Sequence, residues 1–241
     1  MVDIVKALKR PFSDTKKFLI GILLGIIPFV NFTVMGYALV SSGFTKELVK
    51  KDKLPEWKNY GDLFMKGLVS LIIGFLLFLP ALLFLIGTFG TLVMSPAVSI
   101  MLGGISIDAW NNIITGQITD MQVQNWFSEN FTQLIPTLMS ALPLFVIGAI
   151  LAFLAFYMTP VAVLGWLKEK RFGAAFSWKV LKKALTVDYF VNWIVVAFIT
   201  GFFSGVVNVF LGWIPFIGNG ITMYVFGVFS YTVFAEVYER V

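Results

Sequence analysis

The chain has 241 residues, of which 59% are hydrophobic and only 13% are charged. This composition lies outside the range of soluble globular domains and indicates an integral membrane protein. Cys and His are both absent, which excludes disulfides, Cys/His zinc sites and a Ser-His-Asp triad. The net charge of +5 does not indicate nucleic acid binding, because the basic residues cluster at predicted membrane boundaries, where they contact anionic lipid head groups.

Residues 1–17 are predicted to form a basic, amphipathic segment at the membrane interface. Val5, Leu8 and Phe12 share one side of it, and Pro11 interrupts it, so two short pieces are as consistent with the pattern as one. The basic residues before an apolar run resemble a signal peptide. Because the run is broken by proline and lacks a small-x-small cleavage site, we expect the segment to be retained.

The six-residue phrase L-G-x-I-P-F occurs twice, at 24–29 and at 211–216, each time inside an apolar stretch. Proline removes a backbone donor and keeps the preceding residue out of the α region. Each copy is therefore predicted to break a membrane helix, at Pro28 and at Pro215.

Asn31 and Asn219 follow the two breaks and are expected to cap the helices that restart. Residues 18–44 then form a broken hairpin whose arms are each roughly 13 residues, or about 20 Å of helix. Because this is short of the ~30 Å hydrocarbon core, we predict a re-entrant hairpin, with two short tilted crossings as the alternative.

Residues 46–66 are rich in Lys and form a predicted cytoplasmic loop, in which Trp57 and Tyr60 suit the head-group layer. Residues 67–167 contain no Lys or Arg at all. By the positive-inside rule this region is predicted to cross outwards and return, with residues 108–133 as its outer segment.

Residues 168–185 are predicted to form an amphipathic helix on the cytoplasmic leaflet. Its apolar positions recur every four residues, whereas three lysines cluster elsewhere on the helical wheel. Residues 187–238 follow as a hairpin whose turn is the second break, which places both termini in the cytoplasm. The candidate lipid-facing cations of the chain are Lys16, Lys17, Lys179, Lys182 and Lys183.

Taken together, these elements predict an all-α, polytopic protein of the plasma membrane, with a single integral membrane domain over residues 1–241. It has about four full crossings, a short N-terminal helical hairpin and cytoplasmic interfacial amphipathic helices, and six crossings is the alternative. Gly201 and Gly205 have the G-x-x-x-G spacing that permits close helix packing. We expect them to pack within the chain, with a neighbouring chain as the alternative.

The sequence predicts no catalytic, cofactor-binding or metal-binding residues. Ionisable residues in a membrane are costly unless functional, and the predicted spans hold almost none. Asp108, Asp120 and Glu129 lie in or near the outer segment, and their spacing fits no Ca²⁺ loop. We therefore expect a non-enzymatic membrane module that organises lipid or serves as a subunit or scaffold of a membrane complex.

The expected partners are membrane lipids, with a protein partner at the cytoplasmic face or in a larger complex as a further hypothesis and no nucleic acid. The alternative function is a small transporter or channel built on the two proline-broken hairpins, since broken helices expose backbone groups that bind ions. Asn31 and Asn219 would then be candidate ligands.

Several short motifs are spread along the chain. They are Lys9-Arg10-Pro11-Phe12, the break Ile27-Pro28-Phe29-Val30-Asn31-Phe32, Leu54-Pro55-Glu56-Trp57 with Gly61-Asp62-Leu63-Phe64, Pro160 followed by Lys170-Arg171-Phe172-Gly173-Ala174-Ala175-Phe176, and Ile214-Pro215-Phe216. In these motifs the chain resembles a family of prokaryotic, largely archaeal, multi-pass membrane proteins known as domain of unknown function 4013. The resemblance covers almost the whole chain. It implies a multi-pass membrane fold and carries no activity, substrate or site residues.

Overall fold

The computed structural model describes residues 2–43, 53–94, 120–211, 213–214 and 217–241, and of residues 120–134 it describes the backbone alone. These residues form helices joined by turns, with no strand among them. The α-helices are α1 (Ile4–Lys9), α2 (Thr15–Ile26), α3 (Asn31–Ser41), α4 (Tyr60–Val93), α5 (Asp120–Glu169), α6 (Trp178–Leu181), α7 (Val187–Leu211) and α8 (Ile217–Arg240). Short 3-10 helices cover Arg10–Phe12, Phe172–Phe176 and Lys182–Leu185.

Four helices in the described part of the chain are long and apolar enough to cross a membrane: α4, α5 from Ile135 onwards, α7 and α8. This confirms the predicted all-α, polytopic fold with about four crossings. The helix α5 already begins at Asp120, so the second half of the predicted outer segment 108–133 is helical. Its first half, with Asp108, lies outside the described residues.

The chain divides into two compact units, Met1–Leu77 with Phe156–Val241, and Phe78–Ala155. The single domain predicted over 1–241 stays a prediction. In the second unit, α4 and α5 run antiparallel, with Gly148 against Leu85 and Gly87 near Leu144. The glycines allow this approach because they present no side chain.

The last helix, α8, forms the centre of the first unit. Half of its most apolar stretch is buried, against 6% for α7, and it packs on α1, α2, α3 and α7. Its fully buried side chains include Tyr224, Val228 and Phe229. The sequence predicted a hairpin over residues 187–238. In the structure, the second helix of this pair, α8, is the interior helix, and the first, α7, is peripheral.

The N-terminal hairpin of α2 and α3 is short, as predicted. The two helices have 12 and 11 residues, or about 18 Å and 17 Å at roughly 1.5 Å per residue. Neither is long enough to span the ~30 Å core on its own. Whether the hairpin is re-entrant or crosses stays a prediction.

The helix break falls at the predicted proline, but Asn31 does not cap α3. Ile27 is extended before Pro28, and Phe29 takes the left-handed conformation at φ 66°. The N-cap position is therefore Val30, and Asn31 is already the first helical residue. The backbone N–H of Asn31 donates to the Ile27 carbonyl at 3.1 Å. The capping expectation was wrong because it took no account of the left-handed residue that completes the turn.

The N-terminal hairpin of α2 and α3 packs closely against α8 and the start of α4 at three glycines. A Cβ on Gly25 would lie 2.9 Å from the Cα of Gly220 in α8, and a Cβ on Gly21 would overlap the ring of Tyr224. A Cβ on Gly36 would overlap the carbonyl oxygen of Leu63 at the start of α4. The contacts at Gly25 and Gly36 are backbone-to-backbone approaches that only glycine permits.

Candidate functional site

A loop at residues 54–57 is fastened onto the start of α2, and Lys17 is the centre of the contact. The Lys17 Nζ donates to the Leu54 carbonyl at 3.0 Å and forms ion pairs with Glu56 at 2.8 Å and with Asp14 at 3.3 Å. Asp14 also caps α2 by accepting from the Lys17 amide at 3.1 Å. Lys17 is therefore held within the chain and is not a lipid-facing cation, contrary to the sequence prediction.

Trp57 completes this loop clamp, which we define as Asp14, Lys17, Tyr37 and residues 54–57. Its indole stacks on Tyr37 with ring centroids 3.7 Å apart, and its Nε1–H donates to the Lys17 carbonyl at 3.1 Å. The Tyr37 hydroxyl donates to the Pro55 carbonyl at 2.8 Å. The sequence suggested Trp57 as a head-group anchor, but it is only 8% exposed and serves to close the loop.

The charges of the loop clamp stabilise one another. The pKa of Asp14 is lowered, chiefly because it accepts a hydrogen bond from the Lys17 backbone amide. The pKa of Glu56 is lowered by its hydrogen bond with the Lys17 ammonium. For Lys17 burial lowers the pKa, but hydrogen bonds with Glu56 and Asp14 outweigh that effect and the net shift is upward. All three groups are thus favoured in their charged forms.

The segment that joins the spanning helices α5 and α7 is not the continuous amphipathic helix predicted over 168–185. It consists of a 3-10 helix, the four-residue α6 and a second 3-10 helix. The first two are separated by Ser177 in an extended conformation. The break lets Ala174, Ala175, Val180 and Ala184 all face the protein.

The outer side of this segment carries exposed apolar side chains together with exposed lysines. We call it the aromatic–basic edge and define it as Phe172, Trp178, Lys179, Lys182, Leu185 and Val187. Trp178 is 69% exposed and Leu185 is 62% exposed. Lys179 and Lys182 are also exposed. Because α5 ends and α7 begins on either side of the segment, it lies where two spanning helices leave the apolar layer.

The other two predicted lipid-facing cations, Lys16 and Lys183, differ in their exposure. Lys16 is exposed, as expected of a lipid-facing residue. Lys183 is instead partly buried, with its Nζ donating to the Tyr238 carbonyl at 3.1 Å and lying 4.5 Å from the centroid of that ring. Burial, with the nearby charges of Lys168 and other lysines, lowers the pKa of Lys183. Lys183 therefore fastens the end of α8 and does not point to lipid.

Two buried tyrosines hold the aromatic–basic edge against the helices behind it. The Tyr157 hydroxyl donates to the Ala184 carbonyl at 2.5 Å, and the Tyr189 hydroxyl donates to the Tyr157 carbonyl at 2.7 Å. Thr186 caps α7 by accepting a hydrogen bond from the Tyr189 backbone amide at 3.3 Å. The segment is thus positioned by hydrogen bonds to backbone carbonyls as well as by apolar contacts.

The helix that ends at the first break packs against the start of α8. Gly25 and Ile26 of the first phrase contact Gly220, four residues after the second phrase. Pro215 itself lies outside the described residues.

The two asparagines differ in environment. The Asn31 Oδ1 is buried and makes no hydrogen bond in the described part of the chain. Asn219 is exposed in the first turn of α8, where its carbonyl accepts from the Thr222 hydroxyl at 3.0 Å. The structure does not give the two side chains the same role.

Gly201 and Gly205 do not pack against any of the residues that the structure describes. A Cβ at either position would meet nothing within 4 Å, and both residues are exposed on α7. The same G-x-x-x-G spacing occurs at Gly21 and Gly25, which do pack closely, against α8. The spacing of Gly21 and Gly25 is visible in the sequence, but the sequence analysis did not predict that this pair packs closely.

No group of three or more acidic side chains that could hold a metal ion occurs among the described residues.

Neither a curated protein nor a solved structure matches the chain. A family model, described as "Protein of unknown function (DUF4013)", matches residues 19–217. That match includes residues 19–26 of α2, all of α3 to α7, the loop at 54–57 and the aromatic–basic edge. The chain therefore belongs to the DUF4013 family of proteins of unknown function.

Proposed function

We propose that this membrane protein is a non-enzymatic module that binds anionic lipid head groups along its aromatic–basic edge and so organises lipid around itself. What supports the proposal is the exposure of Trp178 and Leu185 beside Lys179 and Lys182, on a segment bounded by two spanning helices. Aromatic rings favour the head-group layer, and lysines near it attract anionic lipid.

The proposal places this edge in the cytoplasmic leaflet of the plasma membrane. Every Lys and Arg of the chain lies outside residues 67–167, so the positive-inside rule assigns the edge and both termini to the cytoplasm. Accessibility of cysteines introduced at Lys58 and Glu239 to a membrane-impermeant thiol reagent in intact cells tests this orientation. Labelling of either position from outside would contradict it.

Replacing Lys179 and Lys182 together by Gln is expected to reduce the enrichment of anionic lipid around the protein. Each lysine near an anionic surface contributes about 1 kcal/mol, so removing both predicts a loss of roughly tenfold to thirtyfold. The measurement is the ratio of phosphatidylglycerol to phosphatidylcholine retained by the protein from nanodiscs of equal composition, determined by mass spectrometry.

The matched control for this experiment is Lys53→Gln with Lys58→Gln, because both lysines are exposed but lie outside the edge. This pair is expected to leave the lipid ratio close to that of the unsubstituted protein. If the ratio of phosphatidylglycerol to phosphatidylcholine is the same in all three proteins, the aromatic–basic edge does not bind anionic lipid.

The second candidate function is transport, and it is favoured by the contact of the first broken hairpin with the start of α8 and by the buried Oδ1 of Asn31. In proteoliposomes, Asn31→Leu is expected to abolish protein-dependent K⁺ or Na⁺ flux, since it removes the carbonyl oxygen that would bind the cation. Asn208→Leu is the control, because the Asn208 side chain donates a hydrogen bond within α7, to the Ser204 carbonyl. Absence of flux from the unsubstituted protein, or equal flux from the Asn31 variant, would eliminate transport of these ions.

A further inference from the structure

A cavity of about 550 Å³, lined by charged as well as apolar groups, lies between α1, the end of α3 and the second half of α8. This volume is within the range of small-molecule sites. Its floor includes the buried residues Ala7 and Ala235, and hydroxyl groups such as that of Thr232 line its sides. It shares no residue with the aromatic–basic edge.

The charged residues of the cavity are arranged by sign. Lys6, Lys9 and Arg10 line it from α1 and the turn that follows, while Glu236 and Glu239 line it from α8. Asp3 also belongs to the α1 side, but its carboxylate caps that helix by accepting from the Lys6 amide at 2.9 Å. Glu236 pairs with Arg240. The cavity thus has one basic wall and one acidic wall.

We infer that the cavity binds a zwitterion with a phosphoryl group at the basic wall and a primary ammonium group at the acidic wall. Phosphoryl oxygens accept charge-assisted hydrogen bonds from lysine and arginine. A primary ammonium donates such bonds to carboxylates, whereas a quaternary ammonium is bound by aromatic rings. None of the described residues that line the cavity is aromatic, which favours the primary amine.

Two sources can supply this chemistry, an ethanolamine phospholipid head group and a free phosphorylated amine. The head group is accessible because α1 and its turn expose Val5 and Phe12, at 61% and 54%, as expected of a segment lying on the membrane surface. A water-soluble ligand would reach the same walls from the aqueous side. The chemistry is common to both, and the source is decided by experiment.

The test uses the purified full-length chain in two arms. In the first, O-phosphoethanolamine is titrated into the protein in detergent by calorimetry, with O-phosphocholine as the quaternary analogue. In the second, nanodiscs of equal phosphatidylethanolamine and phosphatidylcholine are used, and the retained lipids are quantified by mass spectrometry. Two variants are compared with the unsubstituted protein. The first combines Lys6→Gln with Lys9→Gln, and the second carries Glu239→Gln alone. Lys53→Gln is the control.

We expect the ethanolamine compound to be preferred over its choline analogue by at least fivefold in one arm or both. We also expect the Lys6 and Lys9 double variant to reduce binding by at least tenfold, and Glu239→Gln to remove the preference for the primary amine. Preference in the first arm identifies a soluble ligand, and preference in the second arm alone identifies a lipid head group. Equal retention of both head groups and no calorimetric signal, or unchanged binding in the variants, would overturn the inference. Because the edge is left intact, this result is independent of the proposed function.

Discussion

Replacing Gly36 by Ala is expected to destabilise the protein by about 3 kcal/mol or more. The added Cβ would overlap the carbonyl oxygen of Leu63, and a backbone atom cannot move aside as a flexible side chain does. Overpacking in a well-packed interior costs typically 1–3 kcal/mol, and the cost is greater when two backbones must separate. The measurement is unfolding of the protein in mixed micelles by titration with a denaturing detergent.

The matched control is Gly201→Ala, which makes the same chemical change in a helix where a Cβ meets nothing within 4 Å. It is expected to alter the unfolding free energy by less than about 1 kcal/mol, the difference in helix propensity between the two residues. The prediction for Gly36 fails if its variant unfolds within 1 kcal/mol of the Gly201 variant.

Replacing Trp57 by Ala is expected to cost roughly 3–5 kcal/mol, the usual range for a buried tryptophan. The substitution removes the stacking on Tyr37 and leaves the Lys17 carbonyl without the indole donor. The loop at 54–57 then loses its largest apolar contact, so its amides are expected to lose protection in hydrogen exchange along with the drop in global stability.

Trp178→Ala serves as the comparison, because Trp178 is 69% exposed and belongs to the edge. We expect it to leave both the unfolding free energy and the exchange of the loop amides unchanged. If both tryptophan variants unfold alike, Trp57 does not have the structural role assigned to the loop clamp.

The sequence was sufficient for the features that depend on local physical rules. The long apolar runs predicted the four helices that are able to span a membrane, and the proline of the first phrase predicted the break at Pro28. Each of these depends on a preference of the backbone or of the membrane environment that acts within a few residues.

The features that were missed depend on contacts between distant segments. Lys17 and Lys183 look like surface cations in the sequence, yet each bonds to a carbonyl many residues away, that of Leu54 and that of Tyr238. The predicted amphipathic helix at 168–185 is interrupted at Ser177, and Ala174 and Ala175 before the interruption are buried against the rest of the protein. Spacing alone cannot reveal such partners.

The central position of α8 has a consequence for the order in which the protein is assembled during synthesis. The Tyr224 hydroxyl and the Pro11 carbonyl meet at 3.4 Å, although the two residues are 213 positions apart in the chain. At roughly 5–20 residues per second, about 10–40 seconds separate their emergence from the ribosome. Throughout that interval the glycine face of α2, with Gly21 and Gly25, has no helix to cover it, so the N-terminal hairpin completes its packing only after translation has reached the final helix.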